Sequence, residues 1–213
     1  MYPFTLQQVF NTMEDLGHVV FRGNTRRGFK PYDPNFIGIR NLAPGERDSN
    51  RFNDWILAAW QGSDADWDHI VSNSTTDPGL KPRLDPGHAD GVAMLLPGQY
   101  RRCWKRGLHK GRYPALRQCG PMDFRRDYDG DGNLDPAGPV ITDVIGANMH
   151  HASAKGESML VDGWSEACQV HSDILFFDAF MAIADRSVEN WGEYISYTLL
   201  ESTDVAARDA STS

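Results

Sequence analysis

Hydrophobic and polar positions alternate along this chain in short, interrupted runs, with one helical stripe near each end. Leu6, Val9, Phe10, Met13 and Leu16 recur at three- and four-residue spacing after Thr5, a residue type that caps helix N-termini, and Gly17 stops the pattern. The second stripe, Leu175, Phe176, Ala179, Phe180, Ile183 and Ala184, predicts a helix over Ile174 to Arg186. Val19 to Phe21, Phe36 to Arg40, Trp55 to Trp60 and Gly91 to Leu96 are apolar runs bounded by Gly, Pro, Asn and Asp, which predicts strands; Tyr194 to Leu200 predicts a last one. Pro97-Gly98 marks a turn. The expected class is α+β and β-rich, with an N-terminal and a C-terminal helix. No repeat or linker interrupts the pattern, so one domain is expected over 1–205, followed by a disordered tail at 206–213.

Composition agrees with a turn-rich β chain, since the 213 residues include 20 Gly and 12 Pro, and that length can bury a core. The formal net charge is −8, and Lys and Arg gather only in pairs such as Arg101-Arg102 and Arg125-Arg126, expected at solvated edges. A surface that tracks nucleic-acid phosphates is therefore not expected. The first twenty residues have no basic n-region and no continuous apolar core, so neither a secretory signal nor a membrane span is predicted. Cys103, Cys119 and Cys168 leave at least one thiol free and show no spacing of a structural zinc site. Cys103 and Cys119 read either as small buried hydrophobes or as a pair in an oxidising compartment.

The candidate chemistry concentrates in GANMHHASAKGESMLVDGWSEACQVH, Gly146 to His171. Ala147 to Ala152 reads as a short strand, and Met159-Leu160-Val161 leads back to a tight Asp162-Gly163 turn just before Cys168. His150 precedes Cys168 by eighteen positions, so an antiparallel return would bring an imidazole to a thiol, the arrangement that makes a thiolate nucleophile. His151 points to the opposite face from His150 if the segment is a strand. Trp164 packs or walls a substrate groove, and Ser165 steadies the turn or meets a substrate carboxylate. His109, in GLHKG, Gln169 and His151 are further candidates for substrate contact. The bland alternative is an inert buried Cys168 with His150 as a core histidine.

His150 and Ser165-Glu166-Ala167-Cys168 resemble the signature of YkuD-type L,D-transpeptidases: a histidine, a gap of about this size, then Ser/Thr-x-Gly-Cys. The resemblance covers about 25 residues; Thr75 to Leu80, GVAMLLPGQY and GLHKG are similar in a softer way to phage and bacterial proteins with such a C-terminal half. It implies a YkuD-like β-sandwich or barrel in which Cys168 is the acyl-accepting nucleophile, His150 its base, and the Ala167–Cys168 backbone the oxyanion hole. The implied substrate is the stem peptide of peptidoglycan, acted on through a thioester with no catalytic cofactor. The enzyme would be made in the cytoplasm and act on the cell wall after release or delivery, as a phage lytic hydrolase or a transferase. The chain departs from the signature at Glu166, Ala167 and Val170, where a second histidine, a glycine and a basic or amide residue are usual. Ala167 can line an oxyanion hole only with negative φ, and Glu166 sets a negative charge near the thiol. A second reading is a non-catalytic phage structural or wall-binding module that keeps the fold.

DYDGDGNLD supplies a separate motif, with Asp127, Asp129, Asp131, Gly132, Asn133 and Asp135 at positions 1, 3, 5, 6, 7 and 9 of an EF-hand-like loop. Position 12 is Gly138 rather than glutamate, so a complete EF-hand is not expected. The two readings are a loop stapled by structural Ca2+ and a polar turn rich in Asp and Gly.

Overall fold

A computed structural model describes residues 2–47 and 49–206 of the chain. Its first half contains α1 (Leu6–Asp15), β1 (Asn24–Thr25), β2 (Gly28–Phe29), β3 (Asn35–Arg40), β4 (Asp54–Gln61), β5 (Trp67–Thr75), α2 (Leu80–Leu84) and β6 (Val92–Leu95). Then follow β7 (Gly98–His109), β8 (Tyr113–Gln118), β9 (Met122–Asp127), β10 (Ile141–Asp143), β11 (Met149–His151), β12 (Gln169–His171), α3 (Ile174–Trp191), β13 (Tyr194–Glu201) and α4 (Ser202–Ala206). This is an α+β architecture with an N-terminal and a C-terminal helix on a mixed sheet.

Eight strands hydrogen-bond in the order β11-β12-β5-β4-β3-β13-β7-β8, and one register pair, Met149 opposite Leu116, joins β8 back to β11. β13 runs parallel to β3, and β11 parallel to β12; the other ladders in the ring are antiparallel. β10, β9 and β6 form a separate three-stranded sheet.

The apolar runs of β3 and β4 are continuous because both faces of these strands are covered. Phe36, Ile56, Ala58 and Trp60 join a cluster with Trp104, Tyr197, and Phe177 and Phe180 of α3. The alternating residues Ile37, Ile39, Trp55, Leu57 and Ala59 meet Val9, Phe10 and Met13 of α1. α1 starts in a capping box between Thr5 and Gln8. It ends where Gly17, at φ 76°, lets the His18 N–H reach Met13 O at 2.8 Å. Asp173 caps α3 through the Leu175 N–H, and this helix runs five residues past the expected end at Arg186.

Several expectations need correction. Val19 to Phe21 is not a strand: its backbone bonds are met by side chains, Val19 N–H by Gln99 Oε1 at 3.0 Å and Phe21 N–H by Asn35 Oδ1 at 2.8 Å. The return to Cys168 is parallel rather than antiparallel, with Met149, His150 and His151 opposite Gln169, Val170 and His171. Arg126 is buried and donates to Gly91 O at 2.8 Å, whereas Arg101 and Arg102 are exposed. Cys103, Cys119 and Cys168 are all free thiols. Ala206, from the tail expected at 206–213, is the last residue of α4, and 207–213 lie outside the described residues. Among the described residues no helix is long and apolar enough to cross a membrane.

Candidate active site around Cys168

Cys168 stands at the entrance of β12, beside the parallel strand that carries His150, and the turn before it is pinned from three sides. Gln169 N–H donates to Asn148 O at 2.8 Å, Ser165 Oγ–H to Cys168 O at 2.8 Å, and Gly79 N–H to Ser165 O at 2.9 Å. Gly79 is required there, because a Cβ would come within 2.1 Å of Asp162 O. Ala167 is not among the residues with positive φ, so its Cβ does not distort the backbone. The partly buried thiol points to Gly146 O at 3.7 Å and faces a cavity of about 470 Å3. Trp164 and His109 wall this cavity, Lys81 and Lys110 bring positive charge, and Asp85 and Glu166 negative charge.

His150 is 1% exposed, and its Nδ1 lies 2.8 Å from His151 O. A carbonyl only accepts, so Nδ1 carries the proton and Nε2 the lone pair. Nε2 is buried with no hydrogen-bond partner. One ring nitrogen each of His150 and His109 and the Cys168 sulfur lie within 4.8 Å of one another. The His150 Nδ1 is committed to His151 O, so the free lone pair of the ring is on Nε2. His109 stacks on the His150 ring at 4.0 Å between centroids, and the Tyr113 hydroxyl lies 3.2 Å from His150 Nδ1.

Burial pushes the Cys168 thiol up to about 11; Glu166 adds to this, while the Asn148 N–H and Lys110 oppose it. Burial also pulls His150 down to about 3, and nearby His109 lowers it further. His109 falls to about 4, again mainly through burial. The resting pair at neutral pH is therefore thiol and neutral imidazole.

Three other expected residues sit apart from the cavity or serve as supports. Ser165 is 1% exposed, and its hydroxyl is spent on Cys168 O. Gln169 is not a substrate contact: it is fully buried, takes the Tyr197 hydroxyl proton at 2.7 Å, and donates to Thr76 O at 3.4 Å. That Thr76 belongs to a buried polar network in which Arg40 pairs with Asp77 at 2.9 Å and Asp54 accepts from Thr76 N–H at 2.7 Å. His151 packs on Tyr113 at 4.6 Å and on Phe177 at 5.3 Å and does not line the cavity. Asn148, Tyr113, Lys81 and Lys110 also belong to the site. Asn148 could have been found, because it lies two residues before His150 and so shares its face of the strand.

Two groups could be considered for a metal. The sulfur and two imidazoles are a soft donor set that suits zinc in kind. Asn148, however, takes Gln118 N–H on its Oδ1 at 2.9 Å, so its Nδ2 donates to His109 Nδ1 at 3.2 Å. That leaves the His109 proton on Nε2, and the group offers two lone pairs rather than three. In the acidic loop, Asp127, Asp129 and Asp135 bring carboxylate oxygens within 4.8 Å of one another. Asp131 is not in that group; its two oxygens accept from Asn133 N–H and Nδ2–H, at 2.7 Å each. The loop thus brings three of its expected carboxylates close enough to share a cation.

Comparison with protein-family models, with curated proteins and with solved structures found no match to this chain.

Proposed function

We propose that this protein is a cysteine acyl-transfer enzyme of YkuD-like fold that acts on peptidoglycan stem peptides. Cys168 attacks a peptide carbonyl, His150 Nε2 takes the thiol proton, and the same imidazole returns it to the leaving amine. The resulting thioester passes its acyl group to water or to an amine. Hydrolysis, as a carboxypeptidase or endopeptidase, is placed ahead of cross-linking, and a phage lytic role on the cell wall fits such an activity.

The observation that carries this reading is a His150 ring that leaves Nε2 buried and unpartnered and shares a 4.8 Å group with a thiol that opens on a cavity. The mixed charges of Lys81, Lys110, Asp85 and Glu166 around the cavity suit a peptide that carries both free carboxylate and ammonium groups. Ca2+ on Asp127, Asp129 and Asp135 would have a structural role only.

Incubation with purified stem peptides, followed by mass spectrometry, tests the proposal. Loss of a terminal residue, internal cleavage or joined stems each support it and name the reaction. Unchanged peptides with saturable binding would favour a non-catalytic wall-binding module.

A further inference from the structure

We propose that His109 is a further catalytic residue, whose Nε2–H donates to the carbonyl oxygen of the acyl group under attack by Cys168. This rests on the acyl-transfer reading above and supplies a part that reading lacks, a side-chain donor for the oxyanion.

The hydrogen-bond pattern sets the two stacked imidazoles in opposite tautomers. Gln118 N–H holds Asn148 Oδ1 at 2.9 Å, so the amide cannot turn without losing that bond, and its Nδ2 donates to His109 Nδ1 at 3.2 Å. A neutral imidazole that accepts on Nδ1 carries its hydrogen on Nε2. His150 is the reverse, with Nδ1–H on His151 O at 2.8 Å and a bare Nε2. The rings lie 4.0 Å apart, and both belong with the Cys168 sulfur to one group within 4.8 Å. His109 also lines the cavity where an acyl group would sit. The sulfur thus lies beside one imidazole whose free nitrogen accepts and one whose free nitrogen donates.

Each partner then has one task. As the S–C bond forms, the thiol proton moves to His150 Nε2 and the carbonyl π pair moves onto oxygen. The His109 N–H stabilises that charge without transferring its proton. When the tetrahedral species collapses, the C=O bond re-forms, the C–N or C–O bond to the leaving group breaks, and His150 returns its proton to that group. Burial keeps His109 neutral near pH 7, so it acts as a hydrogen-bond donor, as neutral histidines do at other developing oxyanions.

Two reactions of the same sulfur separate this role from a structural one. Alkylation by iodoacetamide displaces iodide and develops no charge on a carbonyl oxygen; acylation by p-nitrophenyl acetate passes through an oxyanion. His109→Leu should slow acylation of Cys168 by roughly 10²- to 10³-fold, the usual effect of deleting one such donor, and leave alkylation unchanged. His109→Gln, whose amide N–H can take the Nε2 place, should recover part of the acylation rate. His150→Ala should slow both reactions. Equal slowing of both in His109→Leu, or a His109→Gln variant as slow as His109→Leu, overturns the proposal. A wild-type protein that acylates readily but leaves stem peptides intact removes the substrate assignment and keeps His109. A wild-type Cys168 that alkylates but never acylates removes both.

Discussion

Tyr197 of β13 gives its hydroxyl proton to Gln169 Oε1 at 2.7 Å across the fully buried interior, and Gln169 is the next residue after Cys168. The residue beside the proposed nucleophile is therefore held by a tyrosine on another strand. Tyr197→Phe leaves a buried acceptor unpaired and should cost about 1–3 kcal/mol in urea unfolding. It should also lower turnover more than substrate affinity. An unchanged unfolding midpoint would show that the bond is not needed.

The same tyrosine explains a glycine. A Cβ at Gly38 would fall 1.9 Å from the Tyr197 hydroxyl, so Gly38→Ala forces the ring away from Gln169. The variant should be destabilised, and Gly38→Ala combined with Tyr197→Phe should lose less than the sum of the two single changes. Additive losses in a denaturation cycle would contradict this coupling.

For the nucleophile, Cys168→Ser should keep the fold and abolish turnover of stem peptides, because a hydroxyl is far less ionised than a thiol at neutral pH. His150→Ala should remove most activity, and the double variant should be little worse than either single one. Cys119→Ser should leave turnover intact. Full activity in Cys168→Ser would show that another residue attacks.

Acid should weaken the fold through its buried imidazoles. Both ring nitrogens of His171 are buried and unpartnered, between Phe177 and Phe180, and burial lowers this group to about 3. The unfolded chain takes up this proton below about 6.5, the folded one does not, so stability is full above that pH and falls as pH drops toward 3. Asp54, raised to about 6 by burial and by Asp77, works in the opposite direction over part of that range. The comparison must therefore be made between variants. His171→Leu should flatten the decline between pH 6.5 and 4 by up to roughly 1.4 kcal/mol per pH unit. Parallel curves for wild type and His171→Leu would refute the assignment.

Calcium should raise the melting temperature if Asp127, Asp129 and Asp135 hold it, since a ligand bound only by the folded state stabilises that state by mass action. Asp129→Asn should reduce the shift, and a chelator should reverse it. No shift on titration to millimolar Ca2+ would leave the loop as a polar turn.

Much of the scaffold was legible because its signals are local. The Thr5 cap, the α1 stripe, and the continuous apolar runs of β3 and β4 each show their covered faces in consecutive residues. β5 was missed because WDHIVSNST places polar residues at most positions. The parallel pairing of β11 with β12 was missed because a short strand names no partner, and the loop from Ala152 to Cys168 carries no helical pattern that would announce a crossover. In the site, spacing selected His150 and Cys168, while the tautomers depend on Asn148 and Gln118, whose contacts form only once β7, β8 and β11 are assembled. Gln169 and Ser165 look like substrate ligands in sequence because nothing local shows that their polar atoms are already used inside.

A ring of strands is only as tight as its narrowest joint, and here that joint is one rung, Met149 against Leu116, next to His150 in the chain. The ladder between β4 and β5 has eight register pairs, so opening the ring breaks far fewer bonds at β8 and β11 than anywhere along β4. The wall that bears the proposed base should therefore open more readily than β4, and amides around Met149 should exchange with solvent well before those of β4.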